Sequence, residues 1–117
     1  MITITTSNFQ KEKKKGRLLV EIFQPGCVPC KRMQNDILPE INKKDLVIGT
    51  VDATQQMDVV HQIQEDSGRS IMSVPVLVFY KNGVFAGRKD GFASIDDVEK
   101  LVSWNGVLTL DKSASIV

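Results

Sequence analysis

Gln24-Pro25-Gly26-Cys27-Val28-Pro29-Cys30-Lys31 holds both cysteines of the chain, three residues apart. Before it lies the most apolar strand candidate, Leu18-Leu19-Val20-Glu21-Ile22-Phe23. After it comes a helical pattern, Lys31-Arg32-Met33-Gln34-Asn35-Asp36-Ile37-Leu38. A strand ending in a turn, with Cys-x-x-Cys opening a helix, is a redox arrangement. With Cys27 at the helix start and Cys30 one turn in, the two side chains share a face and their Cα atoms fall within disulfide range. A Cys27 thiolate would meet unpaired backbone N–H groups and the positive end of the helix dipole, which lowers its pKa and makes it the attacking sulfur. Cys30, a turn deeper, would be shielded and act as the resolving thiol. Pro29 suits a first helical turn, where a missing N–H costs nothing.

Working outward, the chain alternates elements of both kinds. Ile2 to Thr5 alternates apolar and polar residues, as a short edge strand does. Ser7 or Asn8 could cap a short helix from Phe9 to Lys15. The run Lys11-Glu12-Lys13-Lys14-Lys15 reads as its solvated face, approaching a turn at Gly16. Leu18 to Phe23 is apolar enough for a strand buried on both faces, interrupted only by Glu21. The helix after the cysteines turns Met33, Ile37 and Ile41 inward with Leu38 beside them, until Pro39 kinks or ends it. Asp45 to Asp52 is a second buried strand. Met57, Val60 and Ile63 fit one helical face, with Val59 beside it, and a polar stretch follows from Gln64 to Ser70. Val74 to Tyr80 is strongly β, and Asn82-Gly83 predicts a hairpin into Val84 to Lys89. Asp90-Gly91 makes another turn, and Ser94 to Asp97 has the spacing of a capping box. Its helix turns Ile95, Val98, Leu101 and Val102 inward, carries Trp104 near its end and stops at Asn105-Gly106. The order is β-α-β-α-β-α-β-β-α, an α/β domain with a sheet core. Strands joined through helices are expected to be parallel and the last hairpin antiparallel.

Bulk composition bounds the function. The 117 residues fit one domain with its own core, and 42% hydrophobic with 25% charged residues is ordinary globular composition. A net charge of +1 gives no argument for nucleic acid or a membrane as partner. No apolar run approaches the length that spans a bilayer, and Met1 to Thr6 lacks the charged-then-apolar pattern of a secretory signal. Cysteine usage of this kind suits a reducing compartment. A Cys-x-x-Cys pair is also half of a zinc site. The single histidine, His61, would supply a third ligand, but structural zinc takes four and there is no second pair. His61 lies on the polar side of its helix and reads as a surface residue. Phe92 and Trp104 read as packing residues.

Gly26-Cys27-Val28-Pro29-Cys30-Lys31 resembles the active site of the thioredoxin family, usually Trp-Cys-Gly-Pro-Cys-Lys. Gly26 stands where the family has tryptophan, and Val28 where it has glycine. The element order is also that of the thioredoxin fold, over about Ile2 to Trp104. Ser73-Val74-Pro75 is similar to the family's proline step, where the proline is cis and lies against the disulfide. A trans proline opening a strand is the alternative. Lys81-Asn82-Gly83 matches a family tripeptide, and Gly91 falls at a glycine that lets substrate approach. Glu21, six residues before Cys27, stands where the family keeps a buried aspartate, and Thr50 where many members have a lysine. Pro39 lies further along its helix than the family's kinking proline, and the stretch before Pro75 is several residues longer.

The resemblance implies a thiol–disulfide oxidoreductase with a central mixed β-sheet, a thioredoxin domain at 1–106 and an extension or disordered tail at 107–117. Cys27, Cys30 and Glu21 would be catalytic; Gly26, Val28, Pro29, Val74, Pro75 and Gly91 would contact substrate. A buried Glu21 would have a raised pKa suited to exchanging a proton with Cys30. Alternatively its head reaches solvent or an internal lysine. No bound cofactor or metal is implied beyond a reversible Cys27–Cys30 disulfide. The expected partners are disulfide-containing proteins and a flavoprotein thioredoxin reductase, with the chain a cytoplasmic monomer acting as reductant. An oxidant or isomerase of the same fold, or a binding module with incidental redox activity, would carry the same signature.

Overall fold

The computed structural model describes residues 1–103. Trp104, the helix stop at Asn105-Gly106, the expected domain edge at 106 and the 107–117 tail lie outside the described residues. The elements run β1 (Ile2–Thr3), α1 (Phe9–Lys13), β2 (Arg17–Phe23), α2 (Val28–Arg32), β3 (Leu46–Asp52), α3 (Met57–Ser67), β4 (Val76–Lys81), β5 (Val84–Asp90) and α4 (Ile95–Ser103). The five strands form one sheet in the order β1-β3-β2-β4-β5. β2 lies at its centre, parallel to β3 and antiparallel to β4.

β4 departs from the expectation that helix-joined strands run parallel. α3 carries the chain away from the end where β3 finishes, and residues 68–75 then run back before β4 begins. Val76 pairs with Ile22 near the C-terminal end of β2. The long polar stretch thus reverses the strand. It is also partly helical, because α3 continues to Ser67 and is closed by Gly68 in the left-handed region at φ 73°. Arg88 of β5 fastens the return segment. Its guanidinium donates to Ser67 Oγ at 2.9 Å, the Arg69 carbonyl at 2.9 Å and the Ser70 carbonyl at 2.7 Å.

Strand alternation sorts the core into two layers. Leu18, Val20, Ile22, Val76, Val78 and Tyr80 face α1 and α3. Leu19, Leu77 and Phe79 face the opposite way, against Met33, Ile37, Leu38 and Ile41 after the cysteines and Val98 and Val102 of α4. The sheet picks Val59 and Ile63, four apart, as the inward side of α3. Met57, expected inward, lies half a turn away from Val59 and is exposed. Ile95, also expected inward, is exposed in the first turn of α4, and Val98 and Val102 take the core face. Lys13 corrects the reading of 11–15 as a solvated face. It is only 8% exposed, its ammonium 5.0 Å from the Phe9 ring centroid and 5.2 Å from that of Tyr80.

Pro39 acts on the backbone upstream of it. Residues Met33–Ile37 widen into a π turn, with Leu38 N–H donating to the Met33 carbonyl five residues back, and a 3-10 turn at Leu38–Glu40 ends the helical stretch. Proline has no N–H for the regular ladder and its ring crowds the carbonyl four residues earlier, so the helix cannot continue undistorted. The Ser94–Asp97 box is reciprocal: Ser94 N–H donates to Asp97 Oδ2 and Asp97 N–H to Ser94 Oγ, both at 3.1 Å. Asn82 and Gly83, at φ 53° and 86°, make the tight hairpin between β4 and β5.

Candidate active site

β2 delivers the chain to one end of the sheet, and residues 24–27 turn it into α2. Cys27 N–H donates to the Gln24 carbonyl at 3.2 Å. Gly26 sits at φ 83°, in the left-handed region where a side chain would be strained. Cys27 is then the N-cap of α2. Its Sγ accepts from Cys30 N–H at 3.2 Å, and its carbonyl accepts from Lys31 N–H at 3.1 Å. Pro29 falls in the first turn, where its absent N–H breaks no bond. Cys27 and Cys30 are joined as a disulfide, Cα to Cα 5.3 Å. Cys30 is 1% exposed. Cys27 is half-buried, while Gly26, Val28 and Pro29 are exposed, Val28 to 77%.

A groove runs beside the pair, lined by Phe23, Pro25, Cys27, Cys30, Lys31 and Gln34 among others. Val74, Pro75 and Gly91 are not among its lining residues. They sit at the same end of the sheet. Val76 pairs with Ile22, so Pro75 lies next along β4 toward the end where β2 enters the cysteine turn. The Val74–Pro75 bond is cis. Pro75 is buried, Val74 half-buried, and the Pro75 carbonyl accepts from Gly91 N–H at 2.8 Å. Val74 N–H and C=O make no hydrogen bond among the described residues. Phe92, after Gly91, lies under the Arg32 guanidinium, 4.9 Å from its ring centroid, which ties that turn to α2.

Glu21 belongs to the sheet face covered by the helical stretch after the cysteines, since it alternates with Leu19 and pairs across the sheet with Leu77. Its exposure is 0%. The carboxyl therefore reaches neither solvent nor, among the described residues, a lysine. Thr50 is its register partner on β3. Oε1 accepts from Gln34 Nε2 at 2.7 Å, and Oε2 has no partner among the described residues. Burial pushes the carboxyl pKa up to about 7, against the opposing effect of the Gln34 hydrogen bond. Gln34 is a site residue that the motif itself does not include. Its signal was positional: four residues after Cys30, it shares that residue's helical face.

The thioredoxin family model matches residues 1–104. The chain belongs to the thioredoxin family. It is 28% identical to thioredoxin of Bacillus subtilis over 88% of this chain and 95% of that one. It is 25% identical to thioredoxin of Listeria monocytogenes, over 86% and 93%. Among solved structures, the fold is similar to a mutant thioredoxin from Halobacterium salinarum, at TM-score 0.73 and 13% identity over 87% of each chain. Plasmodium falciparum thioredoxin superposes at TM-score 0.70 and 23% identity, over 88% of this chain and 97% of that one. Family membership with an adjacent cysteine pair makes the chain a thiol–disulfide oxidoreductase. Among the described residues no cluster of His, Cys, Asp or Glu could hold a metal ion, and no helix is long and apolar enough to cross a membrane.

Proposed function

We propose that this thioredoxin-family chain reduces protein disulfides, with Cys27 attacking and Cys30 resolving. The observation that carries the reading is the asymmetry of the pair. Cys27 is the half-exposed N-cap, its sulfur already accepting a backbone N–H, whereas Cys30 is shut inside. A helix N-terminus favours a thiolate at the first position and so makes it the nucleophile. Cys27 thiolate attacks one sulfur of the substrate disulfide, and the other sulfur leaves as a thiolate that takes up a proton. Cys30, once deprotonated, attacks Cys27 Sγ and expels the second substrate sulfur. Two electrons pass to the substrate, and the Cys27–Cys30 disulfide is left behind.

Glu21 takes the Cys30 proton by way of an intervening water. Its support is burial combined with a pKa near neutrality, the condition for exchanging protons at working pH. Gly26, Val28, Pro29, Val74, Pro75 and Gly91 form the substrate surface. The exposed apolar side chain of Val28 and the backbone N–H and C=O of Val74, unused among the described residues, suit an extended peptide that adds itself beside the sheet end. A flavoprotein thioredoxin reductase returns the electrons, and the chain acts as a monomer in the cytoplasm, where thiols are kept reduced. The working domain is 1–106, with 107–117 as an extension.

Turnover of a disulfide-bonded protein substrate tests the assignment. Cys27→Ser should abolish reduction, whereas Cys30→Ser should stall as a covalent mixed disulfide with the substrate. Retained reduction in Cys27→Ser would overturn the order of attack. The direction is tested by the reduction potential of the pair. A value near about −270 mV supports a reductant, and one near about −120 to −180 mV an oxidant or isomerase.

A further inference from the structure

We propose that Gln34 is a positioning residue: it holds Glu21 by one carboxyl oxygen and so makes the other, Oε2, the atom that carries the proton. This rests on Glu21 being the proton partner of Cys30. Glu21 lies beneath the helical stretch with Oε1 fixed by Gln34 Nε2 at 2.7 Å and Oε2 unpartnered among the described residues. Gln34 also lines the groove with Cys27, Cys30 and Lys31, so one residue touches both the groove and the buried acid.

Among the described residues no other group competes for the position. Lys31, Arg32 and Asp36 around α2, and Asp52 at the end of β3, make no hydrogen bond or ion pair with Glu21. β3 presents Thr50 and β4 presents Leu77, while α4 turns Val98 and Val102 inward. A neutral amide suits the task better than a lysine would. Its N–H can donate to Oε1 whether Oε2 is bare or protonated, because Oε1 remains an acceptor in both states. The Cys30 S–H bond breaks, its proton goes to Oε2, and Cys30 is left as thiolate beside a neutral acid, while the Gln34 bond persists. Reversal returns the proton along the same path. The amide also favours the anion over the acid, which offsets part of the effect of burial.

The test is a titration of the Glu21 carboxyl by 13C NMR in the full-length reduced protein. Gln34→Met keeps the side-chain length and removes the donor; it should raise the midpoint by about one pH unit or more. Gln34→Lys puts a cation in the same place and should lower it. Thermal unfolding run alongside separates a purely structural role, which would move the melting temperature and leave the midpoint alone. An unchanged midpoint in Gln34→Met, or in Gln34→Lys should the first variant not fold, overturns the proposal. Failure of the underlying reading looks different: Glu21→Gln would leave the pH profile of disulfide exchange unchanged while the carboxyl midpoints still moved in the Gln34 variants.

Discussion

Glu21 and Asp66 both press against the central sheet, on opposite faces, and they keep different company. Asp66, near the end of α3, accepts from Tyr80 Oη at 2.6 Å and Gln62 Nε2 at 2.9 Å, and lies 3.5 Å from the Lys13 ammonium. Burial by itself would raise its pKa. The bonds from Tyr80 and Gln62 and the charge of Lys13 together outweigh burial and hold the carboxyl below its usual range. Tyr80 is displaced the other way, well above the ordinary phenol range, by burial and then by the carboxylate it serves. Among the described residues Glu21 has one donor, no cation and an unpartnered oxygen, and burial wins. A carboxyl with both oxygens engaged is a fastening; one left short of partners can gain and lose a proton near neutral pH. Glu21 is fully enclosed while the Asp66 side chain keeps 20% of its surface, so depth of burial and the inventory of partners push the two acids apart in the same sense.

Breaking the fastened site should have the largest effect on stability. Asp66→Ala leaves the Lys13 ammonium and the Tyr80 hydroxyl without their shared acceptor and should cost about 3 kcal/mol in a denaturant titration at neutral pH. Disulfide exchange should keep its wild-type rate, because the groove beside Cys27 is on another part of the molecule. Loss of exchange in folded Asp66→Ala would erase the distinction between the two acids.

Glu21→Gln should act in the opposite sense. The folded carboxyl titrates near pH 7 against 4.5 for an ordinary one. Between those values the folded chain holds a proton that the unfolded chain has released. Stability therefore falls as pH rises through that window and stays low above it. The variant has no such group, so it should be more stable than wild type by about 3 kcal/mol above pH 7, with the advantage vanishing as pH falls to the unfolded value. At neutral pH its exchange should be slower by about tenfold or more. A pH-independent difference in stability would show that Glu21 does not titrate in this window.

The sequence made one of these acids visible and hid the other, for a physical reason. Glu21 interrupts an apolar strand, so its burial follows from local pattern alone, and the Cys-x-x-Cys turn after it is local too. Asp66 lies in a polar stretch and Lys13 in a charge run, where solvent is the default. Their pairing, with Lys13 buried and Asp66 half-buried, depends on Tyr80 arriving from a distant strand. The same limit applies to strand direction. The elements were legible from apolar periodicity and turn residues, but the sense of β4 depends on residues 68–75 running back along α3, held by Arg88, and spacing does not encode that path. Gln34 lies between these cases. Its place on the Cys30 face could be counted from the sequence, whereas its bond to Glu21 needed the strand beneath the helix.

The smallest change sharpens the comparison most, because it removes one partner of Asp66 and leaves the rest. Tyr80→Phe deletes the hydroxyl that donates to Asp66 Oδ2 but keeps the ring against Phe9, at 5.6 Å between centroids, and beneath Lys13. Asp66 still has Gln62 and Lys13. The expected loss is about 1.5–3 kcal/mol, the range for a hydrogen bond to a charged acceptor, and toward its lower end because two partners remain. Its pH dependence fixes its origin. A depressed carboxyl pKa contributes stability above the unfolded value and loses it as pH falls through the folded one. Deleting a donor shrinks that contribution, so the gap between Tyr80→Phe and wild type should be full at neutral pH and narrow below the ordinary aspartate range. A gap that stayed constant into acid would assign the loss to ring packing, and the low pKa of Asp66 would then rest on Gln62 and Lys13 alone. Partial loss with a narrowing gap would place Asp66 one step along a series that ends at Glu21: each donor withdrawn moves a buried acid away from fastening and toward proton exchange.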